Sequence, residues 1–103
     1  MNTQTELDLN NVWYALLHVQ PIRKDSIVAN NAYVNVVGFA EGPSQFNRMI
    51  SEAVKHYKLH LIDIEDLGPY LQWRGPDSNS VMDPLANAAA RSKSLRFSTF
   101  NEY

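Results

Sequence analysis

The chain has 103 residues, nine Lys and Arg against eleven Asp and Glu, a net charge of -2 and no cysteine. It projects no positive field that would gather polyanions, so a nucleic-acid partner is not expected. Disulfides, thiolate nucleophiles and thiolate metal sites are excluded, and a cytoplasmic location is the simpler expectation. The length suits one domain, 45% of residues are hydrophobic, and no apolar run reaches the roughly eighteen residues that would suggest a membrane span.

Met1 to Asn11 is polar, with neither a basic leader nor an apolar run, and predicts a flexible tail over 1–11 ahead of a single domain over 12–103. From Val12 to Ile22 the chain is dense in β-branched and aromatic residues until Pro21 stops it, the composition of a strand covered on both faces. Arg23 to Asn31 holds Lys24-Asp25-Ser26 and Asn30-Asn31 and reads as a loop. Ala32 to Glu41 predicts a second strand, with Tyr33, Val37 and Phe39 on one face and Val34 and Val36 on the other. Gly38 marks a bulge or a close approach within it.

Gly42-Pro43 places a permissive cap and a first-turn proline before a periodic segment ending near Lys58. Phe46, Met49, Ile50, Ala53, Val54 and Tyr57 form one apolar helical stripe there. Leu59 to Asp66 reads as a third strand, Ile62 and Ile64 alternating with Asp63 and Glu65. Strand, helix and strand in that order imply that the second and third strands run parallel in one sheet. Beyond Gly68-Pro69, Tyr70 to Trp73 suits a short edge strand, and Gly75 to Asn79 a surface loop. Asp83-Pro84 then opens a short alanine-rich helix to about Ser92, and Leu95 to Phe100 forms a last strand. The predicted fold is α+β: a ferredoxin-like split βαβ arrangement with an extra N-terminal strand and helices on one face of a mixed or antiparallel sheet.

Few residues carry chemistry by type and spacing. Glu52 and His56 lie one helical turn apart, but His60 falls beyond the helix end, so neither a metal site nor a cofactor is expected. No Gly-x-Ser-x-Gly elbow and no glycine-rich phosphate loop occurs, and no catalytic residue is assigned. His18, inside an apolar strand, is either a hydrogen-bonded core histidine or the lining of a pocket shared with Tyr33 and Phe39. Asp63, Glu65 and Asp66 concentrate carboxylates near the end of the third strand. They complement Arg91, Lys93 and Arg96 within the molecule or are merely solvated, form a patch for a basic partner, or serve as paired carboxylates for general acid-base catalysis. Tyr70, Trp73 and Arg74 are residue types enriched in interface hot spots and join the three carboxylates as candidate partner contacts.

The stretches Trp13-Tyr14-Ala15-Leu16, Ala32 to Glu41, Ile62-Asp63-Ile64-Glu65-Asp66 and Phe97-Ser98-Thr99-Phe100 resemble small bacterial α+β immunity-type proteins in pattern and spacing. The resemblance covers most of the chain but rests on no diagnostic motif. It implies a protein that binds and blocks a cognate toxin domain, and it carries over no functional residue. The expected function is non-catalytic binding of another protein with a basic surface, by a monomer or homodimer that needs no membrane. The alternatives are a small ferredoxin-like homodimeric enzyme or ligand-binding domain with a pocket near His18, and an assembly module with a large apolar self-association face.

Overall fold

The computed structural model describes residues 9–75 and 82–103. The elements run β1 (Val12–Pro21), β2 (Ala32–Phe39), α1 (Pro43–His56), β3 (Leu59–Pro69), α2 (Tyr70–Arg74), α3 (Asp83–Ser92), β4 (Leu95–Phe97) and β5 (Asn101–Glu102). The strands form one open five-stranded sheet in the order β3-β1-β2-β4, with β5 pairing β2 farther along its edge, and every pairing is antiparallel.

Because β1 runs antiparallel to both β2 and β3, those two strands point the same way, and α1 connects them by stepping over β1. The expected crossover is therefore present, split by the first strand. That strand is no supernumerary edge: it pairs with β2 from Val12↔Phe39 to Val19↔Ala32 and with β3 from Trp13↔Pro69 to Pro21↔Leu59. The second half of the ferredoxin-like pattern is not met. Tyr70 to Arg74, expected as an edge strand, is a helical turn closed by Gly75 at φ +73°. Pro69 cannot donate to a ladder, and the glycine supplies the left-handed exit.

α1 begins where the glycine-proline pair places it. Gly42 O accepts from Phe46 N at 3.1 Å, and Gln45 Oε1 accepts from Glu41 N at 2.7 Å. Phe46, Ile50 and Val54 bury one stripe of the helix against Ala15, Leu17, Val19, Val34 and Val36. Tyr14, one residue from Ala15 and so on the opposite face of the same strand, belongs to a second core with Val12, Val37, Tyr70, Met82, Ala86 and Ala89. The helices thus cover both faces, α1 on the inner and α2 with α3 on the outer, and not one face as expected. Ala86 and Ala89, both fully buried, let α3 approach closely.

Of the predicted tail, residues 1–8 lie outside the described residues, while Leu9 starts a turn whose carbonyl accepts from Val12 N at 3.1 Å. The surface loop expected after Gly75 likewise falls mostly on undescribed residues, 76–81. The predicted last strand is broken: Ser98 continues the pairing of β4 by donating its N–H to Asn35 O, and β5 then takes up Ala32 and Tyr33. Among the described residues no helix is long and apolar enough to cross a membrane.

Gly38 is a close approach. A Cβ there would lie 2.3 Å from Leu95 Cδ2 and 3.0 Å from Phe46 Cε1, whereas one at Gly68 would meet nothing within 4 Å. Gly38→Ala is expected to cost about 1–3 kcal/mol, the usual range for overpacking a filled core. Gly68→Ala should stay within about 0.5 kcal/mol of wild type, as surface changes do. Urea denaturation of both variants makes the comparison, and equal stabilities would contradict this packing.

Candidate functional site

Among the described residues the outer face of the sheet is only half covered by helices. α2 and α3 sit over Val12, Tyr14 and Val37. Farther along the same strands, Leu16, which still packs against that second core, and then His18, Tyr33 and Asn35 are half-buried. The cross-strand register brings His18 opposite Tyr33 on β2 and opposite Asp63 on β3, and Leu16 opposite Asn35 and Glu65. Directly paired residues share a face. The open half therefore carries a histidine and a tyrosine at its centre and two carboxylates along its β3 border.

Two irregularities in β3 produce this arrangement. One extra residue is accommodated between the pairs His18↔Asp63 and Val19↔Leu61, and another between Leu16↔Glu65 and Tyr14↔Gly68. The first reverses the inward parity, so that Leu61 and Ile64 both pack on the inner core while Ile62, expected to share a face with Ile64, is 42% exposed. The second leaves Asp66 at φ 57° and Leu67 36% exposed.

The rings of His18 and Tyr33 stack with centroids 4.3 Å apart. The ring of Tyr103 lies 5.6 Å from each, its hydroxyl hydrogen-bonded to His18 Nε2. Tyr103 is held there by its N–H on Asn31 O at 3.0 Å and by the adjacent Glu102, whose Oε1 accepts from Ala29 N and Asn30 N. At the other end of the open half, Trp73 stacks on Tyr14 at 4.0 Å and remains 39% exposed. The Tyr14 hydroxyl donates to Asn35 Oδ1 at 2.6 Å, and Asn35 N donates to Ser98 Oγ at 3.0 Å.

The residues singled out from sequence divide accordingly. His18 and Tyr33 are brought together, but Phe39 is six residues along β2 from Tyr33, about 20 Å at strand rise, under the ammonium of Lys93. The three do not converge on one pocket. Asp63, Glu65 and Asp66 are exposed along β3, and Trp73 is exposed on Tyr14, which pairs with Gly68 at the far end of that strand. Tyr70 and Arg74 have a different role. Tyr70 is fully buried, its hydroxyl on Asp83 Oδ1, and Arg74 reaches both oxygens of the same carboxylate at 3.2 and 3.3 Å. They brace α2 against α3. Tyr103 escapes a reading of the residues because a single position beside a two-residue strand leaves no periodic signal.

The ion pairs among the described residues use only Asp25 and Asp83 as acids. Asp63, Glu65 and Asp66 have no ion-pair partner there. The basic cluster that could have neutralised them lies on α3 and β4, toward the opposite sheet edge, about 14 Å away across three strand spacings. Arg96 donates to Ser92 Oγ there, and Lys93 sits over Phe39. A separate concavity of about 450 Å³ between α1 and β4 is lined by Met49, Ala53, Tyr57, Leu95 and Phe97 with Glu52, His56 and Lys93. Among the described residues no group of three or more His, Cys, Asp or Glu side chains is placed to hold a metal ion. Compared with family models, curated proteins and solved structures, the chain has no match.

Burial first, and then the nearby charge of Asp66, raise the Tyr14 phenol above its ordinary value of 10.0. Removing that charge in Asp66→Asn should bring Tyr14 down partway, read as the difference between alkaline absorbance titrations with and without Tyr14→Phe. A proton held more tightly in the folded state stabilises fully below the ordinary phenol value, and this contribution is lost as pH rises through the folded-state value. Wild type should accordingly lose stability relative to Tyr14→Phe above the ordinary phenol value of 10.0; parallel profiles would contradict the assignment.

Proposed function

We propose that this chain is a non-catalytic binding protein that uses the open half of its outer sheet face to engage and block another protein with a basic surface. The observation that carries the reading is the row of carboxylates, Asp63, Glu65 and Asp66, exposed along β3 without an ion-pair partner among the described residues. Like charges held together in water cost self-repulsion, and a basic partner would relieve it. Exposed Trp73 supplies a rigid aromatic of the kind that anchors interfaces, with Ile62 and Leu67 adding apolar area on the same strand.

The finer reading is a bacterial, cytoplasmic immunity-type protein acting on a toxin domain. It rests on the resemblance in pattern and spacing and agrees with a basic target, since an acidic face speeds encounter with a positively charged one. The alternative of a ligand pocket lined by His18, Tyr33 and Phe39 draws less support, because Phe39 lies far from the other two proposed lining residues.

The test is affinity capture from the native host with the full chain as bait, identification of the retained protein, and measurement of its Kd. Asp63→Lys with Glu65→Lys should weaken binding at least about tenfold, roughly 1.4 kcal/mol, and flatten its salt dependence. Trp73→Ala should cost about 2 kcal/mol if it is an anchor. A retained partner indifferent to all three changes would place the interface elsewhere, and a bait that retains no protein specifically would end the proposal.

A further inference from the structure

The open face has a centre as well as a border. His18, Tyr33 and Tyr103 form a three-ring cluster in the middle of the uncovered half-sheet, and Asp63 is the direct cross-strand neighbour of His18 on the side away from Tyr33. Asp63 uses Oδ1 to accept from its own following amide, Ile64 N, at 2.9 Å, which orients the carboxylate and leaves Oδ2 and the second lone pair of Oδ1 to accept from elsewhere. Glu65 follows two residues along on the same face, about 7 Å away at strand rise. Among the described residues no ion pair joins a cation of this chain to Asp63 or Glu65. Arg23 and Lys58 are held by Asp25, Arg74 by Asp83, and Arg96 by Ser92.

An aromatic face beside a carboxylate without an ion-pair partner is the chemistry that holds a guanidinium. The ring quadrupole attracts a cation laid over it, and a planar delocalised cation also stacks. The same group donates two parallel hydrogen bonds to a carboxylate, a geometry that an ammonium cannot reproduce. Building on the partner-binding reading above, we propose that the His18, Tyr33 and Tyr103 cluster together with Asp63 is the seat of one arginine side chain of the basic partner. The carboxylates elsewhere on β3 attract the partner as a charged body, whereas this seat distinguishes arginine from lysine. Tyr103, 65% exposed and following a two-residue strand, forms the adjustable wall.

The test is nuclear magnetic resonance titration of the full chain with two blocked pentapeptides, one carrying two arginines between glycines and the other two lysines. The arginine peptide should bind at least about threefold more tightly, shift the ring resonances of His18, Tyr33 and Tyr103, and show upfield shifts of its own side-chain methylenes. Asp63→Asn should weaken arginine-peptide binding at least about threefold, and Tyr33→Leu should abolish the preference over lysine. Tyr103→Ala, at a mostly exposed site, should reduce that preference without threatening the fold. Equal binding of the two peptides, or binding that leaves the three rings unmoved, would overturn the proposal. If those results came while the Asp63→Lys and Glu65→Lys double variant still released the captured partner, partner binding would stand and the arginine seat alone would fall.

Discussion

Val12, Tyr14, Ala15, Leu17 and Val19 are all nearly fully buried although they alternate between the two faces of one strand. That is sustainable only for a strand paired on both edges and covered on both sides. β1 meets both conditions, and the rest of the molecule is arranged to provide them. β2 and β3 complete its hydrogen bonds, α1 covers Ala15, Leu17 and Val19, and α2 with α3 cover Val12 and Tyr14. Among the described residues the cover that α2 and α3 give the outer side thins beyond Tyr14, with Leu16 at its margin. From that point the same strand presents Leu16 and His18, half-buried, to whatever approaches the face.

Placing β1 at the centre leaves β3, eleven residues long, as an exposed edge, and the irregularities of β3 manage that edge. The two extra residues interrupt the ladder, Asp66 adopts a left-handed conformation that Asp tolerates better than most residues, and Asp63, Glu65 and Asp66 put charge among the outward positions. Each of these discourages another strand from pairing there. The first irregularity also inverts the pattern of Ile62 and Ile64, so that one isoleucine packs inward and the other faces water. Edge protection and the composition of the outer face are thus set by the same backbone feature.

What could be read from the residues follows from which physical signals are local. The α1 stripe with its glycine-proline start was legible because a 3.6 period sustained over fourteen residues is incompatible with a strand or an irregular loop. The burial of both faces of β1 was legible from Val-Trp-Tyr-Ala-Leu-Leu, and the parallel direction of β2 and β3 followed from the helix between them. Strand order was not legible, because the loop from Ile22 to Asn31 fits either an edge or a central position for β1. Tyr70 to Trp73 misled because its aromatic residues favour strands, whereas a long-range constraint decided the outcome: Asp83 takes both Tyr70 and Arg74, which a helical turn presents on one side. At the candidate site, the association of His18 with Tyr33 and the concentration of acids were visible. The arrival of Tyr103 depends on register, which the residue pattern leaves free, whereas the separation of Phe39 from Tyr33 follows from strand rise along β2 alone.

Edge protection and recognition make different demands on the outer face. Any charge facing outward, of either sign, together with an irregular ladder, suffices to keep another strand away. Such a role does not require that the charges share one sign, that they lack ion-pair partners, or that aromatic rings border them. In this chain Asp63, Glu65 and Asp66 are all acidic and all without an ion pair among the described residues, while Arg96 and Lys93 are engaged at the opposite edge. Trp73 stands over one end of the strip and Tyr103 over the other, both leaving apolar area in contact with water. The arrangement is more demanding than edge protection needs and less favourable to an isolated chain than a mixed-charge edge would be, and it is on this difference that the proposed binding of a basic partner rests.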